Sequence, residues 1–290
     1  MTNYYLVADH LFSIEAEPHI FDLMSNYAPF LISRPATRPL ISFHINLSTF
    51  NSQLSTLNLF HTDMSDDDMP RIEIYKSDDK WLFGLSVTKN SPVVCHILCS
   101  QDWKEVTVYA DQNNIRFAID NATMLVYAFA TSSLRTLLFH AAVIKRHEQA
   151  VLFLGRSGTG KSTHAQQWLK AFNDAELLND DNPVVRIIGD EVRVYGSPWS
   201  GKTPCYKNIS APVSALVQLA QSPVNKINQL RMTQAYPYIL ASVSGLKMIP
   251  QMMDNLYDSI SSLLSLRPVY FLDCLPNPDA ARLCAQTCLS

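Results

Sequence analysis

The chain has 290 residues, 47 % of them apolar and 17 % charged, with a net charge of −3. That balance excludes wholesale disorder, and the weak negative charge gives no global attraction to nucleic acid or to an acidic membrane. Length alone predicts one large domain or two ordinary ones, with core enough to fold without disulfides or a structural metal. No run of about 18 apolar residues predicts a membrane span, and the first ten residues lack the charged and apolar regions of a signal peptide, so a cytoplasmic protein is expected.

In chain order, the first 120 residues read as strands. Alternating or β-branched runs lie at 4–14, 41–45, 71–76, 81–87, 93–98, 106–109 and 115–119, separated by turn sequences such as Ser77-Asp78-Asp79 and Asp111-Gln112-Asn113-Asn114. The acidic run Asp66-Asp67-Asp68 precedes Pro70 and lacks the alternation and glycine of a calcium loop, so it reads as a solvated turn. Asp120 or Asn121 is expected to cap a helix over 123–138. The predicted boundary therefore falls between a β-rich α+β domain, 1–121, and an α/β domain, 122–290.

The second domain reads as strands at 139–145 and 150–154, a helix at 161–170, a short strand from 176, and a hairpin of 184–188 with 191–195 around Gly189-Asp190. A strand at 214–219, helices at 233–243 and 252–266, a strand at 269–272 and a closing helix at 278–289 follow. The six cysteines, Cys95, Cys99, Cys205, Cys274, Cys284 and Cys288, lack zinc-site spacing and are expected as free thiols.

The chemistry is carried by Gly155-Arg156-Ser157-Gly158-Thr159-Gly160-Lys161-Ser162, which satisfies G-x-x-x-x-G-K-[ST] at every fixed position. Average residue frequencies make a chance match in a chain this long about one in a hundred. This chain has 8 glycines in all, and three fall inside that loop. Glycines let successive N–H groups turn toward one anion, and the helix that follows adds unpaired donors and the positive end of its dipole. Residues 155–163, Thr163 included, thus form the expected ATP-binding loop, with Lys161 on the β- and γ-phosphates and the Ser162 hydroxyl on Mg²⁺.

Around it, Asp180-Asp181 follow Lys161 by 19 residues at a strand end. One carboxylate can hold Mg²⁺ and the other can accept a proton, provided a turn brings both to one site, because neighbouring strand side chains point to opposite faces. His140 lies 15 residues ahead of Gly155. Tyr195-Gly196-Ser197-Pro198-Trp199-Ser200-Gly201-Lys202 is a second glycine-containing excursion, in which Lys202, or Lys207 beyond it, is a candidate for neutralising phosphate charge.

Taken together, Phe139-His140-Ala141-Ala142-Val143, the phosphate loop and Asn179-Asp180-Asp181 resemble the catalytic domain of HPr kinase/phosphorylase, a P-loop group related to ATP-dependent phosphoenolpyruvate carboxykinase. The resemblance covers roughly residues 135–200, and the 195–202 segment is similar to a Gly-Thr-Pro-Trp-x-Gly stretch of shorter HPr-kinase-like proteins. It implies an α/β P-loop domain of that type, with His140 in the active site. It also implies Lys161 and Ser162 as the loop lysine and the metal-binding hydroxyl, Asp180 as general base toward a serine hydroxyl, and Asp181 beside it on the metal. The family's downstream glutamate has no matching signature here, Glu191 being the nearest acid, and its downstream arginine has no counterpart. The resemblance does not extend to the first domain.

The expected activity is ATP- and Mg²⁺-dependent phosphoryl transfer to a hydroxyl, on a serine of a peptide or small protein, with a homo-oligomer among the expected assemblies. A nucleotide-sensing module without catalysis and a small-molecule kinase are the alternatives that the sequence leaves open.

Overall fold

The computed structural model describes residues 1–50, 58–63, 70–201 and 203–289. The acidic run at 66–68 and Lys202 lie outside the described residues. The chain forms two compact units, Met1–Ala130 and Thr131–Ser290.

Nine strands of the first unit are seen among the described residues: β1 (Thr2–Val7), β2 (His10–Glu15), β3 (Leu31–Ile32), β4 (Ile41–Asn46), β5 (Asn58–Asp63), β6 (Ile72–Lys76), β7 (Lys80–Ser86), β8 (Val93–Ser100) and β9 (Glu105–Ala110). They make one sheet in the order β3-β1-β2-β4-β9-β8-β7-β6-β5. The run expected as one strand at 4–14 is instead a hairpin, because Ala8 and Asp9 take φ of 46° and 58° and reverse the chain.

A larger correction concerns 115–119, expected as a strand, and the helix expected at 123–138. One helix, α1 (Ile115–Thr131), replaces both. Ile115, Ala118, Ile119, Ala122 and Val126 are fully buried at helical spacing, so the 3.6-residue period outweighs the β-preference of two isoleucines. The Asp111 carboxylate accepts from the Asn113 and Asn114 amides and turns the chain into it. The expected boundary at 121 therefore falls inside this helix. Arg135, at φ 50°, stops the helical path before residues 136–138, which are a strand.

The second unit is a mixed α/β structure. Its strands are β10 (Thr136–Leu138), β11 (Ala141–Arg146), β12 (Gln149–Leu154), β13 (Glu176–Asp181), β14 (Val184–Ile188), β15 (Glu191–Tyr195), β16 (Ser210–Gln221), β17 (Lys226–Gln229) and β18 (Val269–Cys274). Its helices are α2 (Lys161–Ala171), α3 (Met232–Ser242), α4 (Pro250–Leu266) and α5 (Pro278–Cys288). The sheet runs β10-β14-β15-β16-β12-β11-β13, with β18 also on β16 and β17 on β18. β16 is parallel to both β12 and β18, while the remaining pairs of this unit are antiparallel.

Strand alternation divides the core into two faces. Val143, Leu152 and Leu154 pack with Ile239 of α3 and Ile260 of α4. Ile144, Val151 and Phe153 pack with Trp168 of α2 and Cys284 of α5. Helices thus cover both sides of the central strands, which is why β11 and β12 read as continuous apolar runs. The six cysteines are free thiols. Among the described residues no helix is long and apolar enough to cross a membrane.

Candidate functional site at the glycine loop

β12, buried along residues 150–154, delivers the chain into the loop. Gly155, Gly158 and Gly160 hold φ of 151°, 78° and 105°, values that L side chains rarely adopt. A Cβ on Gly155 would also stand 2.9 Å from the Thr159 methyl carbon. Gly160 is the N-cap of α2, so the amides at the start of that helix have no preceding turn to bond. Arg156 and Ser157 form the exposed crest.

Lys161 is buried, and its Nζ donates back to the carbonyls of Gly155 (2.9 Å) and Arg156 (3.4 Å). Burial lowers its pKa, and the neighbouring Asp181 and Asp180 charges oppose that shift. The Ser162 hydroxyl donates to Asp180 Oδ1 at 2.8 Å.

Strand pairing brings the other expected residues to this point. β11 lies between β12 and β13, with Ala142 opposite both Phe153 and Asp180, and Ala141 opposite Asp181. The end of β12, the beginning of β11 and the end of β13 therefore share one end of the sheet. His140, immediately before β11, places Nδ1 3.4 Å from Asp181 Oδ1. Its backbone N–H donates to the Ser242 carbonyl at 2.7 Å, anchoring this jog in the chain. Burial lowers the His140 pKa and Lys161 lowers it further, while Asp181 and Asp180 act in the opposite sense. Burial raises the Asp181 pKa, against the pull of His140 and Lys161 and reinforced by Asp180.

The problem of adjacent strand residues facing opposite ways is met by a backbone distortion. Asp181 adopts φ 126°, a region that strains a side-chain-bearing residue. Its Oδ2 accepts from Asn182 Nδ2 at 2.9 Å, and the Asn182 amide donates to Asn179 Oδ1 at 3.0 Å. The segment after β15 reinforces this arrangement. Gly201 N–H and Ser200 Oγ both donate to the Asp180 carbonyl, at 2.7 and 2.9 Å, and buried Asn179 donates to Ser197 Oγ and the Trp199 carbonyl.

Gly196 and Gly201 are required by close approach. A Cβ on Gly196 would stand 1.9 Å from the Lys207 carbonyl oxygen. One on Gly201 would stand 3.0 Å from Asp181 Cβ and 3.2 Å from its carboxyl carbon. Gly201→Ala is therefore expected to lower stability by about 1 kcal/mol, measured as a shift of the denaturant midpoint at constant slope.

Two candidates stand elsewhere. Lys207 Nζ donates to the Leu177 carbonyl and to Glu176 at the opposite end of β13. Glu191 lies at the turn of the β14–β15 hairpin, paired with Arg193, whereas residues 184 and 195 lie at the Asp181 end. Asn179 and Ser200, which hold the Asp pair, stood in the sequence only as members of longer motifs, and His164 was not singled out at all. His164 lies two residues beyond the motif, but a lone histidine carries no signal of its burial.

Among the described residues no group of three or more His, Cys, Asp or Glu is placed to hold a metal. One hydroxyl and an adjacent carboxylate are what Mg²⁺ uses when water and phosphate oxygens complete its shell.

No family model and no curated protein matches this chain. Among solved structures, the HPr(Ser) kinase/phosphatase from Coxiella burnetii is similar over 52 % of this chain and 87 % of that chain, with 11 % sequence identity and a TM-score of 0.30. That is a distant structural likeness. The functional reading below rests on this chain's own residues.

Proposed function

We propose that the second unit binds ATP with Mg²⁺ and transfers the γ-phosphate to a hydroxyl, a serine of a peptide or small protein being the acceptor class. The observation that carries the reading is the Ser162–Asp180 hydrogen bond at the foot of a glycine loop, with Lys161, Asp181 and His140 beside it. In this reading the Lys161 ammonium leaves the Gly155 carbonyl for the β- and γ-phosphates, and the loop amides and the start of α2 bind the remaining phosphate oxygens. Ser162 and Asp180 would hold Mg²⁺, which neutralises charge on the phosphate oxygens.

The geometry favours a division of labour between the acids opposite to the one expected from the resemblance. Asp180 is buried and occupied by the Ser162 hydroxyl, whereas Asp181 is only partly buried. Asp181 is thus the carboxylate that an incoming hydroxyl can reach, and burial brings its proton affinity closer to that needed of a base. The acceptor oxygen forms a bond to the γ-phosphorus as the β–γ bridging P–O bond breaks. Its proton passes to Asp181, and ADP leaves with the bridging oxygen. His140, held neutral near pH 7 by burial, orients Asp181 through Nδ1.

The test is transfer of labelled γ-phosphate from ATP to serine-containing peptides, small proteins and free serine. Lys161→Ala is expected to weaken ATP binding about 10- to 100-fold, the loss of a charge-assisted contact, as read by calorimetry. ATP binding without transfer to any acceptor would favour the sensing module, and transfer to free serine alone would favour a small-molecule kinase.

A further inference from the structure

A cavity of about 560 Å³ adjoins the phosphate loop. Its walls are the loop's last residues and the first turn of α2, residues 221–223 at the end of β16, and residues 274–276 at the end of β18. β12, β16 and β18 are parallel neighbours, so the cavity opens at their carboxyl ends, where α/β sheets place ligands. Its volume lies in the range of small-molecule sites.

One side chain in this wall has a valence that the protein leaves unfilled. His164 is 3 % exposed and stands edge-on to Phe153 at a centroid distance of 4.7 Å. Its Nε2 is 3.1 Å from Trp168 Nε1. An indole nitrogen only donates, so Nε2 is the acceptor nitrogen and the neutral ring carries its proton on Nδ1. That Nδ1–H has no partner. A buried donor without an acceptor costs free energy that folding alone does not recover.

We infer that this cavity is the nucleoside subsite of the nucleotide site, with the His164 Nδ1–H as its buried donor to an oxygen or ring nitrogen of the sugar–base portion. The inference rests on the phosphate-loop reading and deepens it. Gln221 joins the two halves of the site, since its Nε2 donates to the carbonyls of Gly158 (3.3 Å) and Thr159 (3.4 Å) from the cavity wall. A nucleoside seated there would therefore bear on the loop that holds its phosphates.

The wild-type protein carries its own reporter. Cys274 lies in the cavity wall and is the one cysteine of the six that is not buried. Alkylation of Cys274, followed by peptide mass spectrometry, is to be compared with Mg²⁺ alone, with MgATP and with magnesium tripolyphosphate, which offers phosphates and no nucleoside. Saturating ATP is expected to slow the reaction about tenfold or more, and tripolyphosphate less than about twofold. His164→Phe, which keeps the ring packing and removes the donor, is expected to weaken ATP about tenfold and to leave tripolyphosphate within about twofold. Equal affinity and equal protection by ATP and tripolyphosphate would overturn the subsite while leaving the phosphate site standing. Binding of neither would overturn both. Protection by ATP with unchanged affinity in a folded His164→Phe protein would remove His164 from the site. The Cys274 comparison decides the location of the subsite even if that variant does not fold.

Discussion

Asp181→Asn should lower phosphoryl transfer by about 10²- to 10⁴-fold, the usual contribution of a positioned base, while MgATP binding stays within about twofold. The amide preserves the shape and loses the proton acceptor. Asp180→Asn should behave differently, because its carboxylate accepts from the Ser162 hydroxyl and lies where Mg²⁺ would be held. Its loss should appear first as a weakened dependence of ATP binding on Mg²⁺. Single-turnover transfer and calorimetry with and without Mg²⁺ separate the two. Wild-type transfer by Asp181→Asn would end its assignment as base. Lost transfer in Asp180→Asn with intact Mg²⁺-dependent binding would move the base to Asp180.

The second large effect concerns acid stability. Burial holds the His164 pKa at about 4, against 6.5 for the free side chain. Between those values the unfolded chain binds a proton that the folded chain refuses, so stability falls as pH falls through this window. At neutral pH the term vanishes, because both states are neutral. The loss accumulates to about 3 kcal/mol by pH 4, at about 1.4 kcal/mol per pH unit. His164→Phe should start lower at pH 7, because Trp168 Nε1 loses its acceptor. It should then show a shallower decline from pH 6.5 to 4. Denaturant unfolding at a series of pH values measures both slopes, and parallel slopes would contradict the assignment. His140 and His96 are shifted the same way by burial, so the difference between the two proteins isolates His164.

The same residue illustrates where sequence reasoning stops. His164 is two positions past the end of the glycine-rich motif and looks like any polar residue in a helix's first turn. Only packing against Phe153 and Trp168 makes it buried and neutral, with its Nε2 taken by Trp168 and its Nδ1 left without a partner. Lys207, conversely, resembles a phosphate ligand in sequence, yet β13 carries Glu176 to the end of the strand remote from Asp181, and the lysine follows it. The helix at Ile115–Thr131 shows the limit for local structure. A five-residue window rich in isoleucine suggests a strand, and the helical period becomes evident only when 115–126 are read together.

Local rules were sufficient for the conformation of the glycine loop. Three positions at positive φ demand glycine, an apolar run supplies the strand before them, and a helix start supplies the free amides after them. These constraints act within about a dozen residues, so the chain determines them wherever it folds. The company the loop keeps was settled by the tertiary structure. His140, Asp180 and Asp181 meet Lys161 because β11 pairs with β12 on one side and β13 on the other in one register, and a shift of one residue would turn each side chain to the opposite face. Gln221 and Cys274 reach the same end through the parallel pairing of β16 with β12 and β18. Strand pairing is a long-range choice governed by burial of the whole sheet, and no short segment carries it.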